Sequence, residues 1–395
     1  MGPLVLPLAV AGYHVAVIAT SCYQLMRSLS RRRSAPFLEK DARDPVSPPD
    51  QTLSIVIPAR NEERTLGPCL RGAASQRVRR LEIVVVDDGS EDRTLAVAEA
   101  KAREDPRIAA LRAGPLPGGW VGKCHALETG ARASAGEWLL FIDADVILAP
   151  EAAETALRFA AARSVDLLSL SPSQSCVGFW ERLLQPLVFD LLDRTYDLRV
   201  VNDPGSPMAA ANGQFLMVRR DAYDRIGGHA GVRGEVLEDV GLARRAKGAG
   251  LRLYFANTRS LARARMYGSL REIWKGWSKN LFPLLGANDA ELLGTVLGEV
   301  FLWIVPVVTV GIALGLGNPA DPVWSLAWLS GFVAILSLVG AATPRLTASG
   351  VFPGYAVLVS LGKLVLLAMM ADSWIRYRVG RGVVWKGRRY PAEQS

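Results

Sequence analysis

Four long stretches of this chain carry almost no charge, and together they restrict what it can fold into. Residues 4–26 and 322–344 contain no Asp, Glu, Lys or Arg, residues 295–317 contain only Glu299, and residues 346–371 only Lys363. Each stretch approaches or exceeds the roughly 20 residues that a helix needs to cross a bilayer core. The 395-residue chain therefore reads as a membrane protein whose soluble block lies between about residues 40 and 290. The first apolar stretch begins without positive charge and is followed by Arg27, Arg31, Arg32 and Arg33. That order suits a signal anchor rather than a cleaved signal peptide, with the arginines on the cytoplasmic side. The expected layout is an anchor at 1–33, a Pro-containing linker at 34–50, a soluble α/β block at 51–290, membrane segments at 291–375 and a basic tail at 376–395. The soluble block is then cytoplasmic and the protein multi-pass in the cell membrane.

Charge carries further information. The net charge is +8, and Arg376, Arg378, Arg381, Lys386, Arg388 and Arg389 crowd the tail, where anionic headgroups are expected to attract them. No nucleic-acid recognition motif accompanies the basicity, so nucleic acid is not an expected partner. Cys22, Cys69, Cys124 and Cys176 lack Cys-x-x-Cys spacing, which argues against a disulfide framework or a zinc site. Four crossings from an outside N-terminus would leave the basic tail outside, against its charge. One of the last three apolar segments is therefore expected to be re-entrant or interfacial. With the tail cytoplasmic, Glu299 and Lys363 fall at similar depths and are expected to pair.

Within the soluble block, short apolar runs at 53–57, 81–86, 107–111 and 138–142 alternate with helical patterns at 62–75, 91–103 and 123–134, and from Pro150 onward. Continuous apolar strands separated by helices predict a mostly parallel sheet covered on both faces. Ligands of such sheets bind beyond the carboxyl ends of the strands. After Leu170 the alternation stops, and the Trp-containing amphipathic stretches 179–201 and 270–285 read equally as helices at the membrane interface and as surface helices of the soluble block.

The strand ends carry the chemistry. Asp143-Ala144-Asp145 closes the run 138–142 and can offer two carboxylates to one hard cation. Mg²⁺ or Mn²⁺ in such a site typically joins one or two carboxylates to substrate phosphates. Pro58, Ala59, Asn61 and Glu62 follow the first strand, and Asp87, Asp88 and Gly89 the second. Carboxylates there can accept hydrogen bonds from a nucleobase or ribose, and Gly89 permits a tight turn beside a ligand. Lys123 follows a Gly- and Pro-rich loop and is a candidate cation for a diphosphate or an acceptor. Each element has a plainer reading when taken alone. Asp88-Gly89-Ser90 is a good turn, Asn61 a good cap, and Asp239 a good first-turn acid for a helix over 240–247. Their recurrence at successive strand ends favours a site. His125 reads as a neutral helix histidine, and His229 as a loop residue able to contact donor or acceptor.

Over about residues 50–285 the chain resembles family 2 glycosyltransferases of the GT-A fold. The segments Pro117–Lys123 with Trp120, Asn212-Gly213-Gln214-Phe215, Leu237-Glu238-Asp239-Val240 and Gly276-Trp277-Ser278-Lys279-Asn280 are similar to the membrane-bound branch that glycosylates carotenoids and hopanoids. The resemblance implies a nucleotide-sugar donor, UDP-linked by preference, and a membrane lipid acceptor. Pro58, Ala59, Asn61, Glu62, Asp87, Asp88 and Gly89 would line the nucleoside site, with Lys123 and Asp143 at the diphosphate. Asp143 and Asp145 would mark the metal, Asp145 being the direct ligand, and Asp239 would be the catalytic base with Glu238 beside it. Asn212, Gly213, Gln214, Trp120, Trp277 and Lys279 are further candidates. Polymer-making members carry Gln-x-x-Arg-Trp where this chain has Trp274-Lys275-Gly276-Trp277-Ser278-Lys279, which argues against a processive polysaccharide synthase. A nucleotide-sugar-binding scaffold without turnover is the alternative outside enzymology.

Overall fold

The computed structural model describes residues 5–40, 51–316, 321–379, 383–386 and 388–390. Helix α1 (Val5–Ser34) leads into the α/β block. There β1 (Thr52–Ala59), α2 (Leu66–Ala74), β2 (Arg80–Asp87), α3 (Thr94–Glu104), β3 (Ile108–Arg112), α4 (Gly122–Ala133) and β4 (Trp138–Phe141) alternate as the apolar runs predict. The β1–β2, β2–β3 and β1–β4 pairs are all parallel. Successive side chains of these strands enter different cores. Ile55, Ile57, Leu140 and Ile142 pack on one face, and Val56, Leu139 and Phe141 on the other. Burial on both faces is why the runs are continuously apolar rather than alternating.

Beyond β4 come β5 (Val146–Leu148), α5 (Ala152–Arg163), β6 (Leu167–Ser171), β7 (Ser173–Gln174), α6 (Phe179–Thr195), α7 (Leu198–Val201), β8 (Leu216–Arg219), α8 (Arg220–Arg225), α9 (Glu238–Gly248), β9 (Leu253–Asn257) and β10 (Ala262–Ala264). The main sheet has seven strands in the order β3-β2-β1-β4-β8-β6-β9, and β5-β10-β7 form a second, smaller one. Strand β8 runs antiparallel to both β4 and β6, so the sheet is mostly, not wholly, parallel. Part of the expected linker belongs to this block: Leu38 N–H donates to Asn257 O at 2.9 Å, and Asn257 N–H to Pro36 O at 2.9 Å. Extended backbone at 36–38 thus continues the sheet past β9, which a stretch read as Pro-rich does not announce.

The apolar segments form α11 (Asp289–Glu299), a π-helical turn (Val300–Ile304), α12 (Val305–Leu316), α13 (Pro322–Ala348), a 3₁₀ turn (Pro353–Leu358) and α14 (Val359–Arg378), preceded by α10 (Leu270–Leu284). Among the described residues, four helical stretches are long and apolar enough to cross a membrane: Val5–Arg31, Asp289–Gly315, Pro322–Ala348 and Pro353–Arg378. Helices α1 and α13 run parallel: His14 contacts Ser330 at 3.1 Å, and one turn pair further Ser21 bonds Ser337 at 2.7 Å. Helix α14 instead lies against α6 and α10. Its Ser373 hydroxyl accepts from Phe282 N–H at 2.9 Å, its Asp372 from the Trp274 indole at 2.8 Å, and its Tyr377 hydroxyl donates to Lys279 O at 3.1 Å. The expected pair is present, with Lys363 Nζ 2.8 Å from Glu299 Oε2. It is part of a larger network. Glu299 also meets Arg194, whose Nε is 3.2 Å from Asp190, and Asp190 in turn is 2.5 Å from Arg345.

A short hairpin of β11 (Val383–Trp385) and β12 (Arg388–Tyr390) follows α14. Its cations correct the expectation for the tail. Lys386 Nζ lies 2.6 Å from Glu62, and Arg388 Nη1 lies 2.7 and 2.6 Å from the two oxygens of Asp88. These two charges find carboxylates at the strand ends rather than lipid headgroups.

Candidate active site

A cavity of about 1180 Å³ opens beyond the carboxyl ends of β1, β2 and β4, against α9 and α10. Pro58, Ala59, Asn61 and Glu62 line it from the end of β1, and Asp88 from the end of β2. Asp143 and Asp145 enter from β4, Lys123 from α4, and Asn212, Gly213 and Gln214 from the loop before β8. Glu238 and Asp239 open α9, and Trp277 and Lys279 come from α10. Residues far apart in sequence thus converge on one space.

Three of the expected residues stand behind the wall. Asp87 is buried and its carboxylate accepts from Ser90 N–H at 3.2 Å, so it shapes the turn. Gly89 adopts φ of 69°, the left-handed conformation that suits glycine in that turn. Trp120 packs its edge on His125, with ring centroids 5.7 Å apart, and does not reach the cavity. His229 is also displaced from its expectation. It is buried, with Nδ1 2.8 Å from the Tyr223 hydroxyl, and burial followed by the Lys123 charge lowers its pKa to about 3. It is a neutral core group.

Lys123 is the hub. Its Nζ lies 2.8 Å from Asp143 and 2.7 Å from Glu238. Burial opposes its charge, but Asp143, Glu238 and Asp239 together hold its pKa well above that of an ordinary lysine. Asp145 sits differently. Its Oδ1 is buried and has no hydrogen-bond partner, and burial, then the charges of Asp143 and Glu62, raise its pKa to about 8. A carboxylate stranded in this way fits a missing positive charge. Among the described residues no three His, Cys, Asp or Glu side chains form a ready-made metal cage. The donor set suits a hard cation that takes its remaining ligands from phosphate oxygens.

Asp239 has its own setting. One oxygen accepts from Gly213 N–H and the other from Val240 N–H, each at 2.8 Å. Burial and the neighbouring Glu238 raise its pKa to about 6, against the pull of Lys123 and the two N–H groups. Gly213 keeps this corner open, because a Cβ would come within 3.2 Å of both Glu238 and Lys123 and press on their ion pair. Lys279 is driven down to about 8 by burial and by Lys123. Lys123 therefore joins Asp143, two residues from Asp145, to Glu238, the neighbour of Asp239.

Several cavity residues carry no motif. Tyr267 lines the wall, and Gly276 makes room for it, since any Cβ at that position would overlap the Tyr267 ring. Lys386 also reaches the cavity. Arg60 ties the tail down, donating through Nε to Lys386 O at 2.9 Å and through Nη1 to Gly89 O at 2.9 Å. The tail's charge density is visible in the sequence, but nothing there says which acids it meets.

Residues 54–239 match the model of glycosyl transferase family 2. The chain is 28% identical over 277 residues to a 4,4'-diaponeurosporenoate glycosyltransferase of Staphylococcus haemolyticus strain JCSC1435, covering 67% of this chain and 70% of that one. It is 26% identical over 259 residues to the protein of the same description from Staphylococcus aureus strain USA300, covering 64% and 66%. Among solved structures, mannosyltransferase PcManGT from Pyrobaculum calidifontis, in complex with GDP-Man and Mn²⁺, aligns with a TM-score of 0.48 at 18% identity over 92% of this chain and 96% of that one. Glucosyl-3-phosphoglycerate synthase from Mycobacterium tuberculosis, in complex with Mn²⁺ and UDP-glucose, aligns with a TM-score of 0.39 at 21% identity over 60% and 78%.

Proposed function

We propose that this chain, whose residues 54–239 match glycosyl transferase family 2, is a glycosyltransferase of that family and moves a sugar from a nucleotide-sugar, UDP-linked by preference, to a membrane lipid. The observation that carries the proposal is Lys123 bridging Asp143 and Glu238, which brings the donor-side carboxylates and the α9 carboxylates to one wall. A binder without turnover has no use for Asp239 held in that wall with its proton near neutrality.

In this reading Asp88 and Glu62 hold the nucleoside, and Lys123 orients the diphosphate. Asp143 and Asp145 would hold Mg²⁺ or Mn²⁺. The ion, when bound, neutralises charge on the departing diphosphate. Asp239 takes the proton of the acceptor hydroxyl as that oxygen bonds to the anomeric carbon. The bond from that carbon to the diphosphate oxygen breaks on the opposite face, nucleoside diphosphate leaves, and the anomeric centre is inverted.

The helices supply the acceptor's environment. Arg27, Arg31 and Arg33 follow the apolar part of α1, and Arg31 reaches Asp197 of the α/β block at 3.9 Å. These arginines support a reading in which the block lies on the cytoplasmic side of the membrane. Three crossings, by α1, by α11 with α12, and by α13, leave α14 lying at the surface between α6 and α10. The tail then stays on the side of the catalytic block, in keeping with its charge and with its contacts to Glu62 and Asp88.

The test is transfer of label from a panel of nucleotide sugars into organic-soluble lipid, using membranes that contain the protein, with Asp239→Asn alongside. With a hydroxyl acceptor the variant should lose on the order of 10²–10⁴-fold in rate. A second reading has a specific basis, because the staphylococcal relatives are named for a carboxylate, diaponeurosporenoate. A carboxylate acceptor arrives already ionised, so Asp239→Asn would then cost far less. Label appearing in an insoluble polymer would instead favour a synthase.

A further inference from the structure

A second cleft, of about 670 Å³, lies between α1, α6 and α11 and shares two wall residues, Tyr196 and Leu284, with the catalytic cavity. We infer that this cleft admits the apolar chain of the lipid acceptor from the bilayer, and that Tyr196 and Leu284 form the gate between it and the site. The inference rests on the lipid glycosyltransferase reading above and adds where the acceptor sits and how it enters.

The gate is a single contact. The Tyr196 hydroxyl donates to Leu284 O at 2.8 Å, which ties the end of α6 to the end of α10. On the catalytic side the phenol lies within the electrostatic reach of Asp239: burial raises its pKa, the Arg244 charge lowers it, and the Asp239 charge raises it. The two cavities are therefore neighbours across one side chain. A long apolar chain in the outer cleft would place its polar end at Tyr196, which lines the same cavity as the candidate base.

The cleft is open where a lipid would enter. Gly294 and Gly298, one turn apart on α11, line it, and a Cβ at either would meet no heavy atom within 4 Å. Thr20 and Gln24, one turn apart on α1, form the facing wall. Both helices belong to stretches long and apolar enough to cross a membrane, and beside the glycines the wall carries Glu291, Thr295 and the Arg194–Glu299 ion pair, polar groups that a bound lipid would meet near its polar end. Gly294 and Gly298 carry no motif and gain nothing for helix stability, because glycine costs roughly 1 kcal/mol against alanine in a helix interior. Their bare backbone widens the mouth.

The vacant space also supplies the test. Gly298→Phe starts from a Cβ position with nothing within 4 Å and improves helix propensity, so the protein should fold with the ring in the mouth. Gly311→Phe, equally uncrowded on α12 and outside the cleft, is the matched control. The full-length protein in vesicles is irradiated with a diazirine-bearing polyprenyl alcohol, and the crosslinked peptides are mapped by mass spectrometry. The expected result is label concentrated at residues 191–196 and 291–302 in the unmodified protein and in Gly311→Phe, reduced at least tenfold in Gly298→Phe. Undiminished labelling in Gly298→Phe, or label confined to the outward helix faces, overturns the inference. Crosslinking needs no turnover, so the two readings separate. A labelled cleft in a protein that transfers sugar to no lipid supports the cleft and defeats the proposed reaction. Full-rate lipid glycosylation by Gly298→Phe supports the reaction and defeats the cleft.

Discussion

Asp145 and Asp239 are both half-buried carboxyls with raised pKa values, and their tasks predict opposite uses of the proton. Asp145, moved from 3.8 to about 8, binds its proton more tightly folded than unfolded. Its contribution to stability is thus complete below about 3.8 and disappears as pH rises through about 8. Without metal, Asp145→Asn should therefore melt higher than the parent at pH 8–9 and equal to it near pH 3.5. The same variant should lose Mn²⁺ binding in a calorimetric titration, and in the parent that binding should strengthen with pH up to about 8, because the ion displaces the proton. Asp239 works as a base only when ionised, so the rate with a hydroxyl acceptor should fall as pH drops below about 6. A pH–rate profile flat through that region would remove Asp239 from the base role. At this scale the sequence was informative wherever a residue sat at the end of an apolar run, as Asp143, Asp145 and Asp88 do. Trp120 and His229 were misplaced because exposure is decided by packing: Trp120 turns onto His125, and Tyr223 takes His229 into the core.

Among elements, the terminal hairpin β11–β12 has the most direct consequence for the donor. Arg388 occupies both oxygens of Asp88, which the proposed reaction needs for the nucleoside. A nucleotide must break that bidentate contact before it can use the carboxylate. Arg388→Gln is accordingly expected to bind UDP several-fold more tightly in equilibrium titration, with Lys386→Gln acting in the same direction through Glu62. Weaker binding in both variants would mean that the cations contact the nucleotide themselves. Most elements of the α/β block were legible because their local pattern and their environment agree. Strand β8 was not: its antiparallel entry between β4 and β6 is a long-range pairing with no local signal. The fourth apolar run was legible as a helix and not as a position, since α14 has the composition of a membrane span yet packs on α6 and α10.

The whole molecule is joined by its buried charges. Lys363, Glu299, Arg194, Asp190 and Arg345 link α14, α11, α6 and α13 in one chain of ion pairs. Removing one partner from such a group leaves an uncompensated buried charge and costs about 3–5 kcal/mol, whereas replacing a pair with apolar side chains can be nearly neutral. Glu299→Ala should therefore lower the melting temperature of the detergent-solubilised protein, and adding Lys363→Met should restore part of the loss. Additive damage in the double variant would argue against coupling. The pairing of Glu299 with Lys363 was readable from two lone charges at similar depths, while Arg194 and Arg345 were hidden because nothing in their surroundings marks them as buried. The network also has a history written in chain order. A charged residue in mid-helix costs about 2.5–3.5 kcal/mol at insertion, and Lys363 leaves the ribosome long after Glu299. Arg194, 105 residues ahead of Glu299, has already been made when α11 emerges. Helix α6 is thus available to pair with α11 before α14 is made, so a part of the α/β block precedes the apolar helices that its charges hold together.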